Sequence, residues 1–288
     1  MTNRAILGLC AALAGCMAKS PPPPGPVAYT VGQPYQAGGE WRYPREFTSY
    51  DVTGLAVVIK DHHGAYTADN EPYDPDGLAA ASPVLPLPSI VTVTNLVNGY
   101  SLRVRVNERG PDVPGRVLAV TPRVARLLGF PPGGVVEVEV RLDTAASSAL
   151  QSTLGAGPRL AAAPVAGITA QTLPPPGQGG AASPAQQLLP AGAAATGMAS
   201  ARLDGQVTVL PPAPGPLWVQ VAGFGQEADA ARLMARLYGL PARVVPLSGG
   251  DRLLWAVNIG PYRSVAAADQ ALRRVLDMGI AGPEIVVR

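Results

Sequence analysis

The chain has 288 residues, a formal net charge of +2 and a hydrophobic fraction of 47%. A charge so near neutral leaves no concentrated basic face, so no nucleic acid is expected as a partner. The 32 prolines and 33 glycines are too many for one compact unit and predict long linkers, while the only cysteines, Cys10 and Cys16, lie close together near the N-terminus and exclude a disulfide framework.

Arg4 is followed by the apolar run Ala5 to Ala14 and then Gly15-Cys16. A short positive region and a short apolar region predict a secretory signal rather than a membrane span. No later apolar run is long enough to cross a bilayer. Leu13-Ala14-Gly15-Cys16 resembles a bacterial lipobox, in which the cysteine is acylated and becomes the new N-terminus. Several acyl chains on one residue anchor stably where one would not. Met17 would be the second mature residue, which by resemblance to lipoprotein sorting implies the outer membrane, facing the periplasm. Residues 1–15 are thus expected as a signal peptide and 16–49 as a Pro/Gly-rich, solvated tether. Trp41, Tyr43, Phe47 and Tyr50 follow, with packing on the next domain expected ahead of sugar binding.

Residues 50–142 predict a small β domain. Gly54 to Lys60 reads as an early strand. Ile90 to Leu96 and Tyr100 to Val106 read as a hairpin joined by the Asn98-Gly99 turn. Thr121-Pro122 starts a short helix, stopped by Gly129, with Val124, Leu127 and Leu128 inward. After Pro131-Pro132-Gly133-Gly134, Val136, Val138 and Val140 alternate with Glu137, Glu139 and Arg141 in a closing strand. Short strands with one short helix suit a closed barrel. One strand ends in a polar knot: after Arg103-Val104-Arg105-Val106 come Asn107, Glu108 and Arg109, and then Gly110-Pro111 breaks the strand. A carboxylate beside a guanidinium there suits a structural ion pair or a catalytic acid.

Residues 143–214 are Ala, Gly, Pro, Ser, Thr and Gln with few charges, which predicts a disordered linker. Residues 215–288 read as a second unit. Strands are expected at Trp218 to Phe224, Ala242 to Pro246, Leu253 to Ile259 and Ile285 to Val287, with helices from Glu227 to Leu237 and from Ser264 to Met278. Trp218 and Gly223 recur as Trp255 and Gly260 at one offset, so a β-α-β unit is used twice.

Val106-Asn107-Glu108-Arg109-Gly110-Pro111 resembles the Val-Asn-Asp-Arg-Gly-Pro motif of the rare lipoprotein A family. Thr67-Ala68-Asp69-Asn70-Glu71-Pro72-Tyr73-Asp74 is similar to that family's Thr-Ala-Asn-Gly-Glu-x-Tyr-Asp. The run from Leu85 to Leu96 matches its Leu-Pro…Val-x-Val-Thr-Asn-Leu segment. The resemblance implies a double-psi β-barrel. Val219-Gln220-Val221-x-Gly223-Phe224 and Val257-x-Ile259-Gly260-Pro261-Tyr262 resemble the SPOR domain, which implies a βαββαβ, ferredoxin-like fold that binds peptide-free glycan strands of division-site peptidoglycan.

Enzymes of this family are lytic transglycosylases. A carboxylic acid protonates the leaving oxygen of the MurNAc-GlcNAc linkage and then serves as base while the sugar's own 6-hydroxyl closes a 1,6-anhydro ring. Such an acid must hold its proton near neutral pH, through burial or a facing carboxylate. The resemblance implies Glu108 and Glu71 as the carboxyls, with Asn107, Arg109, Ser82 and His63 lining the barrel's groove. The family has Asp at 108, His at 82 and usually Asp at 119, where this chain has Glu108, Ser82 and Ala119. In the SPOR unit, Gln220 and Trp218 share a sheet face by parity, Asn258 is a candidate for the same face, and Trp255 is either a fourth sugar contact or core. Adjacent His62 and His63 point apart, and no Cys or second His pair supports them, so no metal or cofactor is expected. Two functions fit: a septal lytic transglycosylase, favoured by Glu71 and Glu108, or a glycan-tethering lipoprotein with an inactive barrel, favoured by Ser82 and Ala119.

Overall fold

The computed structural model describes residues 25–132, 134–154, 203–248 and 253–288. Gly38 and Gly39 take left-handed φ angles of 59° and 81°, and the turn they make lets β1 (Tyr35–Ala37) pair antiparallel with β2 (Glu40–Arg42). Just before it, Thr30 and Leu87 exchange backbone hydrogen bonds of 2.7 and 2.8 Å. The later part of the expected tether is therefore docked on the barrel rather than solvated. Its composition hid this because its partners, Leu87 and Arg109, lie more than fifty residues away in the chain. Residues 1–24, with the expected signal and Cys16, lie outside the described residues.

The barrel strands are β3 (Asp51–Val58), β4 (Ala79–Ala81), β5 (Ser89–Asn95), β6 (Tyr100–Glu108), β7 (Arg116–Val120) and, after helix α1 (Pro122–Leu127), β8 (Val136–Leu142). They run β4-β7-β3-β8-β5-β6 around the barrel, and a β4–β6 pairing closes the ring. Two pairings are parallel, β3 with β7 and β4 with β6, and the rest are antiparallel. This is the mixed six-strand barrel that the family resemblance implied. Val136, Val138 and Val140 alternate inward as expected, joining Val91, Val104 and Leu118 in one core. Thr121 stands at the start of α1 with Pro122 first inside it, but its hydroxyl caps nothing in the helix; it donates to the Gly77 carbonyl at 2.7 Å.

The expected linker is structured at both ends. Helix α2 (Thr144–Thr153) begins at Asp143, whose carboxylate accepts from the Ala146 amide at 2.9 Å. Buried Ser147 holds it to β5 by accepting from the Ile90 amide at 2.8 Å. Strand β9 (Thr208–Val209) adds to the edge of β6. Polar, alanine-rich sequence signals no core of its own, yet it can dock on one already formed. Residues 155–202 lie outside the described residues.

The second unit runs β10 (Leu217–Phe224), α3 (Glu227–Arg236), β11 (Ala242–Ser248), β12 (Leu253–Tyr262), α4 (Val265–Asp277) and β13 (Glu284–Val287). Its sheet is antiparallel in the order β11-β12-β10-β13, the expected βαββαβ arrangement. Val219, Val257, Ile259 and Ile285 pack against Leu233 and Leu272 of the helices. Barrel residues Leu55 and Leu96 belong to that same core. The Thr53 hydroxyl donates to the Val287 carbonyl at 2.7 Å, and Arg116 grips Asp269 with two bonds of 2.8 Å.

Candidate active site

The site grows from the end of β6. Ala80 pairs with Val106 and Ala81 with Glu108, so Asn107 is an extra residue in the ladder. A bulge of this kind re-aims the side chains at a strand's end. Arg105 and Asn107 both reach Glu71, at 2.5 and 2.8 Å. Glu108 turns the other way, and its Oε2 lies 2.8 Å from Nε2 of His62. Its Oε1 accepts from the Arg109 amide at 2.6 Å.

These contacts separate the two expected carboxyls. Glu108 lines a cleft of about 530 Å³ together with His62, His63, Lys60, Asp112 and Ala119. Glu71 is not among the residues lining that cleft. Burial pushes the Glu71 carboxyl above its ordinary range; the Asn107 hydrogen bond and the Arg105 charge oppose this, and Asp69 adds to it. The like charge beside Glu71 is thus Asp69, and a facing pair of Glu71 and Glu108 is not what the fold builds.

Two expected groove residues, Ser82 and Arg109, have other work. Ser82 is fully buried. Its hydroxyl accepts from the amides of Val84 and Leu85 at 3.4 and 3.3 Å, fixing a turn, and its amide donates to the Glu108 carbonyl at 3.0 Å. It supports the site from behind and offers nothing to a substrate. Arg109 donates to the carbonyls of Leu85, Val31 and Ser82 at 2.5, 2.6 and 3.4 Å, tying the N-terminal segment to the barrel. Burial lowers its pKa, with Tyr35 and Glu108 opposing. His63 is exposed on the cleft wall, and it is His62 that meets the carboxylate. The family resemblance pointed to His63; alternation along the chain does not decide which ring turns to Glu108, because the chain here is a loop rather than a strand. Arg105 also went unmarked, although it shares its parity with Asn107.

In the second unit Gln220 is paired with Asn258 and Glu284, and Asn258 with Arg243, making one polar row across the sheet. Gln220 donates to Asn258 at 2.7 Å, and both are buried, so the exposed amide expected at 220 is not there. Trp218 lies under the Arg243 guanidinium, 4.0 Å from the ring centroid. Trp255 pairs with Phe224 and packs partly buried against the helix-side core. Of the two places open to Trp255, sugar contact or core, this is the core side, opposite the face of Gln220. Exposed Arg243 is the member of the open face that the sequence did not single out.

Two family models match the chain. One, described as lytic transglycolase, covers residues 53–140, and the SPOR domain covers 213–286. The endolytic peptidoglycan transglycosylase RlpA of Pseudomonas aeruginosa PAO1 is 33% identical over 273 aligned residues, spanning 85% of this chain and 74% of the relative. That of Escherichia coli K12 is 27% identical over 307, spanning 87% and 82%. The Rickettsia prowazekii protein of the same name is 36% identical over 116, spanning 39% and 36%. With a transglycosylase barrel followed by a SPOR unit, and a relative 33% identical that aligns along most of both chains, the chain belongs to the RlpA family.

Proposed function

We propose that the chain is a septal lytic transglycosylase of peptidoglycan, with Glu108 as its acid. Peptide-free glycan strands are the substrate, the MurNAc-GlcNAc linkage is cut, and the product carries a 1,6-anhydro end. The observation that carries the reading is that Glu108 presents its carboxyl to the barrel's cleft while Glu71 is held by Arg105 and Asn107. Glu71, Asn107 and Arg105 then form a structural network that sets the end of β6. The barrel protonates the leaving oxygen from Glu108, and the same carboxylate next accepts the proton of the sugar's 6-hydroxyl as that oxygen closes on the anomeric carbon. The nucleophile lies within the substrate, so orientation replaces an activated water.

The SPOR unit carries the chain to the division site, with exposed Arg243 as the group of its polar sheet face that meets glycan and buried Gln220, Asn258 and Trp218 as the layer beneath it. Cys16 carries the lipid that holds the protein at the outer membrane, facing the periplasm. The reaction needs no cofactor. Ala119 in the cleft favours the competing reading of an inactive tether, because it leaves no second carboxylate at that position.

Digestion of purified peptide-free glycan, with mass spectrometry of the products, separates the two. The native protein should release anhydro-ended fragments. Glu108→Gln keeps shape and hydrogen bonding without the titrating proton and should lower the rate by roughly 100- to 10,000-fold. An inactive native protein that still retains glycan would establish the tether instead. Cys16→Ser should leave the protein soluble or uncleaved; recovery of that variant with outer membranes after a salt wash would remove the anchor.

A further inference from the structure

His62 is held at both nitrogens. Nδ1 lies 3.1 Å from the Gly64 carbonyl oxygen, and a carbonyl can only accept, so Nδ1 carries a hydrogen. Nε2 lies 2.8 Å from Oε2 of Glu108. The ring is stacked on Tyr73, with centroids 3.9 Å apart and planes 2° from parallel, and the side chain is only 9% exposed. Tilting the ring away would break the stack and the Gly64 bond together.

With Nδ1–H fixed, a neutral ring presents a lone pair at Nε2. A bare carboxylate would meet it with a second lone pair and nothing between. The contact therefore holds one proton, as imidazolium with carboxylate or as neutral imidazole with carboxylic acid. The two forms have equal charge, and the proton belongs to the pair rather than to either residue.

We propose that His62 is the positioning residue that keeps this proton on call at Glu108 and draws it back after transfer. The inference rests on Glu108 as the acid. When the glycosidic C–O bond breaks, the leaving sugar keeps the proton as a hydroxyl. Oε2 and Nε2 are then left facing each other as two acceptors. The 6-hydroxyl oxygen bonds the anomeric carbon and gives its proton to Oε2, which restores the pair. One proton leaves and one returns, so a single carboxyl serves as acid and as base without water or a second carboxylate. The other charged or titrating groups around the pair are Lys60, Asp61 and His63 on the His62 segment, Tyr73 behind the ring, and Arg109, Asp112 and Arg116 along the cleft. The Arg109 guanidinium is occupied by backbone carbonyls.

The test uses the full-length protein on peptide-free glycan, with anhydro ends counted across pH. His62→Gln can still hydrogen-bond Glu108 but cannot titrate, and His62→Phe keeps the stack on Tyr73 but neither bond. Both should fold as the native protein does, work roughly 10- to 100-fold more slowly at pH 7 with little change in KM, and show a changed pH profile. A His62→Gln enzyme with native rate and profile would overturn the proposal and leave the transglycosylase reading standing. A native protein that makes no anhydro ends overturns both. As a check independent of turnover, ¹⁵N spectra of the native imidazole should show Nδ1 protonated throughout, and Glu108→Gln should change the pH at which the Nε2 signal moves. A neutral ring with its hydrogen on Nε2, or a signal indifferent to Glu108→Gln, would sink the pairing.

Discussion

Glu108 is one methylene longer than aspartate, and the cleft uses that length. Its Oε2 meets His62 at 2.8 Å while Oε1 stays on the Arg109 amide. From the sequence, Glu108→Asp looks like a return to the family motif that keeps or raises activity. The geometry reverses the expectation. Shortening the chain withdraws the carboxyl by about 1.5 Å, and a misplacement near 1 Å costs on the order of 100-fold in rate. Glu108→Asp should therefore be slower than the native protein in the anhydro-product assay and should lose the coupling to His62 in ¹⁵N spectra. At the same scale Arg109 illustrates a motif residue whose task is support. A lysine there could not hold its three carbonyls, because the reach depends on a rigid, forked donor.

At the scale of elements, the hairpin of β5 and β6 does more than supply a motif. Asn98 closes its turn by accepting from the Tyr100 amide at 2.9 Å, and Gly99 takes φ 77°. The returning chain lies against this turn: the Leu210 amide donates to the Gly99 carbonyl at 2.8 Å. A Cβ at 99 would come within 1.8 Å of the Leu210 carbonyl oxygen. Gly99→Ala should thus displace β9 as well as strain the turn, at a cost of about 2 kcal/mol from the left-handed backbone alone. Hydrogen exchange at Leu210 should accelerate more than exchange inside β5, and protection unchanged at Leu210 would contradict the account.

At the scale of the molecule, the barrel and SPOR unit share a core through Leu55 and Leu96 and leave a cleft of about 1050 Å³ between them. Phe47 and Tyr50 pack toward the barrel core as expected, whereas Trp41 and Tyr43 remain exposed. Glu284 stands in this cleft, reachable by solvent yet walled by both units. Burial raises its carboxyl above the ordinary 4.5; Glu40 adds to the rise, and Arg42 and Arg45 oppose it. A folded-state pKa above the unfolded one contributes stability that is full below the unfolded value and is lost as pH rises through the folded value. Glu284→Gln removes the charge that causes the loss. Its melting temperature should exceed that of the native protein at pH 8, and the gain should vanish toward pH 4.5. Access of solvent screens the effect, so it should be smaller than for a fully enclosed group. A gain that grew as the pH fell would show that the sign is wrong.

The sequence by itself determined what short-range chemistry dictates. Alternating valines made β8, Asn98-Gly99 made a hairpin, Ser264 capped α4 with a 3.3 Å bond from Ala267, and the ordered motifs fixed barrel and SPOR unit. Glu108 and Glu71 were legible as candidates because both lie in those motifs. Only the tertiary structure separated them, because the bulge at Asn107 sends Glu71 to Arg105 and Glu108 to the cleft. It also chose His62 over His63, buried Ser82, and set Trp255 on the helix side. Each of those outcomes depends on a partner from a distant part of the chain: Glu108 for His62, the turn at Leu85 beneath Arg109 for Ser82, the packed helices for Trp255. Composition and spacing record a residue's neighbours along the chain, and the docking of α2, β9 and the β1–β2 hairpin was hidden for the same reason.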